Sequence, residues 1–327
     1  MSETASAQAA GAGLQVVFGN GPVGCAAAKA LLGRGLRVLM VSRSGRRPEE
    51  ALTGLGRLDT LAADALDPDA VTTASRGATH IYHCMNVPYQ YWARTLAVMQ
   101  GNLVAAAEAQ GAVLAVAENL YSYSRGVPVI DEATAEEAPT RKGRLRKRLH
   151  ESLVAEADAA GFRWAAVRAS DYYGPGADAQ SVFGTGRFLD PLFAGRRLSL
   201  LGDLDLPHSY TYSEDYGRAL ACAALDPSAH GRAWIVPNDR AMTTREVAEM
   251  FLAAAGRAAK VGTIPRLALT ALGLFSPLIR EVGEMLYQKE EPYIVDGSLF
   301  GDKFGFEPTP LERGIAATIA WYRSRRP

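Results

Sequence analysis

The 327-residue sequence has few cysteines and no net charge, and each of these features excludes a class of protein. Its three cysteines, Cys25, Cys84 and Cys222, lie far apart and are typical of reduced, buried thiols. His80 and His83 have no carboxylate or cysteine at metal-ligand spacing, so no metal is expected. Basic and acidic residues both number 35, so no overall field attracts nucleic acid or an anionic membrane. We therefore expect a cytoplasmic protein with a small-molecule ligand.

The sequence also lacks a hydrophobic run long enough to span a membrane. Its most apolar segment, residues 266–279 (RLALTALGLFSPLI), is about half the length of a span and contains a proline. We interpret this segment as a helix pair that covers a pocket. Residues 1–13 have neither a basic start nor an apolar core, which predicts a disordered leader and not a secretory signal.

A strand–turn–helix pattern begins at residue 14. The apolar run LQVVFG leads into the turn NGPVG and then into an alanine- and leucine-rich helix. Three glycines fit G-x-G-x-x-G: the first permits a tight turn, the second lets a pyrophosphate approach, and the third lets the helix pack closely. The N–H groups at the start of the helix would face the phosphates. The predicted cofactor residues are Gly19, Asn20, Gly21, Pro22, Val23 and Gly24.

The second predicted strand, LRVLMVSRS, ends without an acid. A carboxylate at this point would take the ribose 2′-hydroxyl of NAD. Instead Ser42 and Arg43 stand there, followed by Arg46 and Arg47. Guanidinium groups suit a 2′-phosphate, so the sequence favours NADP(H) over NAD(H), with Ser42 and Arg43 as ligands.

Strands continue to alternate with helices, which predicts an α/β fold with a doubly wound parallel sheet of the Rossmann type. Ligands of such sheets lie outside the carboxyl ends of the strands. The residues expected there are Asp64, Ala65, Met85, Asn86, Glu118, Asn119 and Tyr121. Residues 14–170, with a returning segment at about 207–237, would form the NAD(P)-binding domain. Residues 171–206 and 238–327 would form a smaller, mainly helical substrate lobe.

Segments along nearly the whole chain resemble the short-chain dehydrogenase/reductase superfamily, in its extended branch of epimerases and dehydratases. They are GNGPVG, AADALD, HCMNVPY, ENLYSYS, VRASDYYGPG, HSYTYSEDYGRAL and PTPLERGIAATIAWY. The branch usually has G-x-x-G-x-x-G, whereas Phe18 holds the first position here. The resemblance is therefore to an atypical member.

The resemblance implies a tetrad of Asn, Ser or Thr, Tyr and Lys that is incomplete in this chain. Lys147 matches the lysine that lowers the pKa of the tyrosine and binds the nicotinamide ribose. Gly143 stands at the tyrosine position, and Ala117 stands at the Ser/Thr position. We expect the glycine to open space for a bulky substrate.

Two groups after Ala117 are candidates for the missing proton chemistry. Glu118 and Asn119 match the acid pair of the dehydratases in this branch. A carboxyl group facing a partly dry crevice can have its pKa raised towards neutrality, and Asn119 can hold a carbonyl or oxyanion. Alternatively, Glu118 has a structural role and pairs with a base such as Lys147.

Tyr121 matches the tyrosine of the family's V-Y-G motif, and it would take over the acid role if Lys147 reached it. Packing with a satisfied hydroxyl is the alternative. Four further residues are predicted to face the substrate, although each could instead be structural: Tyr123, Tyr172, Tyr173 and His208.

The sequence therefore predicts an NADP-dependent oxidoreductase acting on a carbonyl or alcohol. The lobe sequence has no arginine cluster for a nucleotide-sugar diphosphate, which favours a small or lipophilic substrate. A redox-neutral epimerase, dehydratase or isomerase using Glu118, and a non-catalytic NADP(H) sensor, are the alternatives. The basic run RKGRLRK is interpreted as a solvated helix face or a subunit interface, which allows a homodimer.

Overall fold

The computed structural model describes residues 13–46, 52, 54–178, 180–266, 269 and 277–325. The predicted leader up to residue 12, Arg47 and most of the apolar segment 266–279 lie outside the described residues. No helix of the described part is both long and apolar enough to cross a membrane.

The strands are β1 (Leu14–Phe18), β2 (Arg37–Ser42), β3 (Leu58–Ala62), β4 (Ala78–His83), β5 (Val113–Asn119), β6 (Trp164–Ala169), β7 (Tyr172–Tyr173), β8 (Leu198–Leu200), β9 (Pro207–His208), β10 (Thr211–Tyr212), β11 (Ala233–Ile235), β12 (Met242–Thr243) and β13 (Val261–Thr263). The α-helices are α1 (Pro22–Leu32), α2 (Pro68–Ala74), α3 (Trp92–Gln110), α4 (Arg141–Ala160), α5 (Leu189–Phe193), α6 (Ser213–Leu225), α7 (Thr244–Ala255), α8 (Pro277–Gly283), α9 (Ser298–Phe304) and α10 (Leu311–Ser324).

Seven strands form one parallel sheet in the order β11-β6-β5-β4-β1-β2-β3. Helices α1 and α6 cover one face, and α2, α3 and α4 cover the other. The inner strands β1, β4, β5 and β6 are largely apolar and buried because both faces are covered, whereas the edge strand β3 is mostly exposed. The predicted Rossmann-type fold is confirmed.

Strands β1 and β4 lie side by side at the centre of the sheet. The strands that follow β1 extend the sheet to one side, and those that follow β4 extend it to the other. In such sheets, the crevice for a ligand lies outside the carboxyl ends of the strands at this switch point. Gly19 follows β1 and Cys84 follows β4, and both approach this crevice. The residues expected to bind the cofactor are therefore brought together by topology.

A second apolar cluster lies beyond β6, and aromatic residues dominate it. The ring of Phe251 from α7 lies 5.2 Å from those of both Phe183 and Phe188. Leu311, Ile315 and Ile319 of α10 complete this cluster. The mainly helical C-terminal part is thus observed, whereas the division of the chain into two domains stays a prediction.

Candidate functional site

A cavity of about 790 Å³ lies at the carboxyl ends of β1, β2, β4, β5 and β6. Among the predicted site residues, those that line it are Gly19, Asn20, Gly21, Pro22, Val23, Ser42, Arg43, Asp64, Ala65, Met85, Asn86, Glu118, Asn119, Tyr121 and Tyr172. Those that do not are Gly24, Tyr123, Lys147, Tyr173 and His208.

The three glycines of the first turn have distinct surroundings. Gly19 has a φ of 112°, and a Cβ on it would lie 2.7 Å from the Cys84 carbonyl oxygen. A Cβ on Gly24 would lie 2.0 Å from the Gly19 carbonyl oxygen, so this glycine permits the helix to pack. A Cβ on Gly21 would meet nothing within 4 Å. Gly21 therefore opens onto the cavity, where the motif requires room for a pyrophosphate.

Helix α1 begins at the cavity with unsatisfied backbone donors. Pro22 occupies its first turn, no described side chain caps it at Gly21, and its first turn has no acidic residue. Free N–H groups and the positive end of the helix dipole therefore face the cavity. The residues present fit the phosphates of a dinucleotide.

The end of β2 carries no carboxylate. Ser42 and Arg43 line the cavity at this end, and Asp64 lines it after β3. The Asp64 carboxylate accepts a hydrogen bond from the Leu66 N–H at 3.0 Å, which fixes its loop. A cation and a hydroxyl thus line the cavity at the end of β2.

Helix α4 presents Arg146, and not Lys147, to the cavity. Lys147 Nζ donates to the Glu136 carbonyl oxygen at 2.8 Å and lies 3.9 Å from Glu151. Its side chain is 40% exposed, and no hydrogen bond joins it to Tyr121 in the described chain. The structure therefore does not bring Lys147 to the position that the resemblance assigns to it.

Gly143 packs against backbone and does not open a space. A Cβ at this position would lie 2.2 Å from the Tyr121 carbonyl oxygen. The expectation of room for a bulky substrate is wrong, because the start of α4 rests directly on the chain leaving β5. Lys142 and Arg146, four residues apart, lie on neighbouring turns of this helix.

Glu118 belongs to a buried ionic network. One of its carboxylate oxygens lies 3.0 Å from His150 Nδ1, and the other accepts from Arg168 Nε at 2.9 Å. Arg168 also donates to Glu136 at 2.6 Å and to the Tyr123 hydroxyl at 2.8 Å. Burial raises the pKa of Glu118, but His150 and Arg168 outweigh it and lower this pKa to about 2. The expected upward shift is wrong; the group is an ionised carboxylate, paired with His150 and Arg168 and not with Lys147.

Tyr121 lies with Tyr89 at the aromatic end of the cavity. Their hydroxyl groups are 2.8 Å apart, and the Tyr121 ring stacks on Trp92 with centroids 6.0 Å apart. Burial, and then the neighbouring Tyr89, raise the pKa of Tyr121 well above its usual value. Asn119 accepts from the Tyr121 N–H at 3.2 Å, and its amide nitrogen has no partner among the described residues. Two phenols that keep their protons and one amide thus face the same space.

A family model described as the NAD dependent epimerase/dehydratase family matches residues 16–236. The chain belongs to this family. The resemblance to the extended branch is thereby confirmed. No curated protein sequence is significantly similar to the chain.

Solved structures of this architecture include three epimerases. The UDP-glucose 4-epimerase of Thermotoga maritima, solved with UDP-glucose, is 16% identical with a TM-score of 0.76 over 95% of this chain and 99% of that one. The UDP-glucuronic acid 4-epimerase of Bacillus cereus, in complex with NAD, is 16% identical with a TM-score of 0.75 over 96% and 97%. The UDP-glucose 4-epimerase of Thermus thermophilus, in complex with NAD, is 19% identical with a TM-score of 0.75 over 95% and 99%. At these identities the likeness establishes the fold.

Asp171, which follows β6, lines the cavity as part of an ion cluster. Lys289 Nζ lies 2.6 Å from its carboxylate and 3.1 Å from His208 Nε2. Burial raises the pKa of Asp171, but Lys289 and His208 outweigh it and hold this pKa well below its usual range. His208 is buried and its pKa is lowered to about 4, so it is neutral near pH 7. It positions this cluster and does not face the cavity.

The predicted tyrosines separate in the structure. Tyr172 lines the cavity. Tyr173 is buried, with its ring 5.5 Å from that of Tyr212 and 6.2 Å from that of Phe251. Tyr123 is buried too and accepts from Arg168. The latter two are therefore structural, as in the alternative interpretation of the sequence.

Sequence reasoning missed several lining residues: Tyr89, Trp92, Arg146, Gln288 and Tyr293. A signal for Arg146 was present in the helical periodicity. Leu149, Leu153 and Ala157 recur every four residues along the buried face of α4, and Arg146 lies three residues before Leu149, on the same face. No comparable signal marks Gln288 or Tyr293, which arrive from a distant part of the chain.

No group of three His, Cys, Asp or Glu side chains among the residues described could hold a metal.

Proposed function

We propose that this chain is an NADP(H)-dependent reductase of a small or lipophilic carbonyl compound. One observation carries the proposal: the open Gly21 and the uncapped start of α1 face the same cavity as the Tyr121 hydroxyl. A phosphate cradle and a proton donor in one crevice are what carbonyl reduction requires.

The cofactor would be held by groups already described. The N–H groups of the first turn of α1 would bind the pyrophosphate, and Ser42 and Arg43 would bind the 2′-phosphate. When bound, the cofactor supplies a hydride to the carbonyl carbon. The amide of Asn119 would orient the carbonyl, and Tyr121 would give its proton to the oxygen as the alcohol forms. Lys147 has no part in this scheme because its Nζ is held by the Glu136 carbonyl oxygen.

The raised pKa of Tyr121 means that its phenol keeps its proton at neutral pH. The protonated phenol can donate this proton to a developing alkoxide, so activity is assayed in the direction of reduction. Tyr121→Phe should lower the rate of NADPH oxidation with a carbonyl substrate by about 10²–10⁴-fold. Tyr91→Phe, which removes the same hydroxyl at the exposed rim, should leave the rate nearly unchanged. Equal rates in wild type and Tyr121→Phe would refute the role of Tyr121.

Arg43 and the missing acid at β2 support NADP over NAD, whereas two of the solved epimerases named above are complexes with NAD. Titrating the protein with NADPH and NADH separates the two cofactors. We expect NADPH to bind more tightly than NADH. Arg43→Ala should lower the affinity for NADPH without changing the affinity for NADH. Equal affinity for both cofactors would refute the preference.

A non-catalytic NADP(H) sensor is the second candidate. The observation that favours it is that no described lysine or arginine donates a hydrogen bond to the Tyr121 hydroxyl, whose only described partner is Tyr89. A sensor would bind NADPH tightly and turn over no carbonyl. The redox-neutral alternative is weaker because both carboxylate oxygens of Glu118 are engaged, one with His150 and the other with Arg168. Turnover of UDP-glucose without a change in NADPH absorbance would support it. A cytoplasmic location and a homodimer also stay predictions.

A further inference from the structure

The cationic side chain of Arg146 lines the cavity and forms no ion pair with the described residues. The Arg146 guanidinium lies over the ring of Trp92, 4.2 Å from its centroid, and Nη2 is 3.4 Å from Asn86 Oδ1. Its Nε is buried without a hydrogen-bond partner among the described residues. None of the ion pairs formed within the described chain includes Arg146, although Glu118 lies close enough to interact with it.

The carboxylates nearest to it in the described chain bind other cations directly. Glu118 already accepts from Arg168 and pairs with His150. Asp171 is paired with Lys289 at 2.6 Å. The end of the cavity beyond Asn86 therefore keeps guanidinium N–H donors that no carboxylate of the described residues contacts directly.

A guanidinium with a buried, unpaired N–H and no anion in contact is unfavourable. Burial lowers the pKa of Arg146, which means that the surroundings disfavour its charged form. A hydroxyl group of a ligand would accept a hydrogen bond from the guanidinium but would leave it without an anion in contact. A carboxylate would do both, since its two oxygens match the geometry of a guanidinium group.

We propose that Arg146 binds the carboxylate of the substrate, so that the cavity takes a small oxo acid whose carbon skeleton lies against the rings of Tyr89, Trp92 and Tyr121. The inference rests on the proposed function and narrows its substrate class. The aromatic rings supply the apolar contact, and the Tyr121 hydroxyl is then beside the oxo group.

The test compares phenylglyoxylate with its methyl ester as ligands of the protein saturated with NADP⁺, by calorimetry at low salt. The carboxylate should bind about tenfold to a hundredfold more tightly, because it alone makes the charge-assisted hydrogen bonds. Arg146→Gln should abolish the difference, and Arg146→Lys should retain part of it. Arg148→Gln, which removes an exposed arginine from the same helix, should preserve it.

Three results would overturn the proposal: equal affinity for the two compounds, binding of neither at millimolar concentration, or a preference that survives Arg146→Gln. The NADP⁺ affinity of each variant is measured first. If Arg146→Gln weakens NADP⁺ binding but leaves the preference for the carboxylate, the arginine serves the cofactor. If wild type does not bind NADP⁺, the proposed function fails, and the comparison without cofactor still decides the role of Arg146.

Discussion

Gly143 illustrates how one backbone contact can determine a residue type. The start of α4 lies so close to the Tyr121 carbonyl oxygen that any side chain at position 143 would overlap it. The glycine therefore reflects the docking of the helix on β5.

We predict that Gly143→Ala destabilises the protein by about 1–3 kcal/mol, since the backbone has to move to relieve the overlap. Gly101→Ala is the matched control, because Gly101 also lies within a helix and a Cβ there would meet nothing within 4 Å. The control should stabilise the protein by about 0.5–1 kcal/mol. Urea unfolding measures both, and an unchanged midpoint for Gly143→Ala would contradict the contact.

Between elements, the strongest ties near the cavity are ionic. Glu118 on β5 joins Arg168 on β6 and His150 on α4. In the folded protein its pKa is about 2, compared with 4.5 for a free glutamate. A group with a depressed pKa stabilises fully above its unfolded pKa, and this contribution disappears as the pH falls through the folded value. The affected window therefore runs from about pH 4.5 down to about pH 2.

Glu118→Gln should cost about 3–5 kcal/mol at neutral pH, because it leaves Arg168 with one carboxylate fewer. The free energy of unfolding of wild type should fall more between pH 6 and 3 than that of the variant. Glu108→Gln, at an exposed site of α3, should behave like wild type. Identical pH profiles for wild type and Glu118→Gln would contradict the network.

A second ionic tie connects α4 with α8. The buried Lys142 donates to Glu281 and, at 2.6 Å, to Glu284. Lys142→Met should raise amide hydrogen exchange across residues 277–289, since two carboxylates would be left near each other without their cation. Arg141→Met removes an exposed cation that lies 3.4 Å from the same glutamates. We expect this variant to lower the free energy of local unfolding by at most about 1 kcal/mol, so exchange should change little. Equal exchange in both variants would show that Lys142 has no special role.

For the whole molecule, local and distant information contribute differently to the site. The glycine turn, the alternation of strands with helices and the missing acid after β2 could be predicted because each depends on local sequence. The state of Glu118 could not, because it depends on Arg168, which lies 50 residues further along the chain. Lys147 matched a family spacing, but the docking of α4 decides which side chain faces the cavity. Gln288 and Tyr293 reach the cavity only through the tertiary fold.

Binding of NADPH is the property on which the other functional inferences depend, and Gly21 gives the cleanest way to test it. Valine at position 21 has free space in the protein and a suitable extended backbone, with φ −75° and ψ −177°. Its side chain would, however, hold a pyrophosphate away from the N–H groups of α1. The decisive measurement is a fluorescence titration of wild type and Gly21→Val with NADPH, together with their unfolding midpoints. We expect wild type to bind and the variant to lose on the order of a hundredfold in affinity at unchanged stability. Wild type that ignores millimolar NADPH and NADH, or a variant that binds NADPH equally well, would contradict the proposed cofactor site.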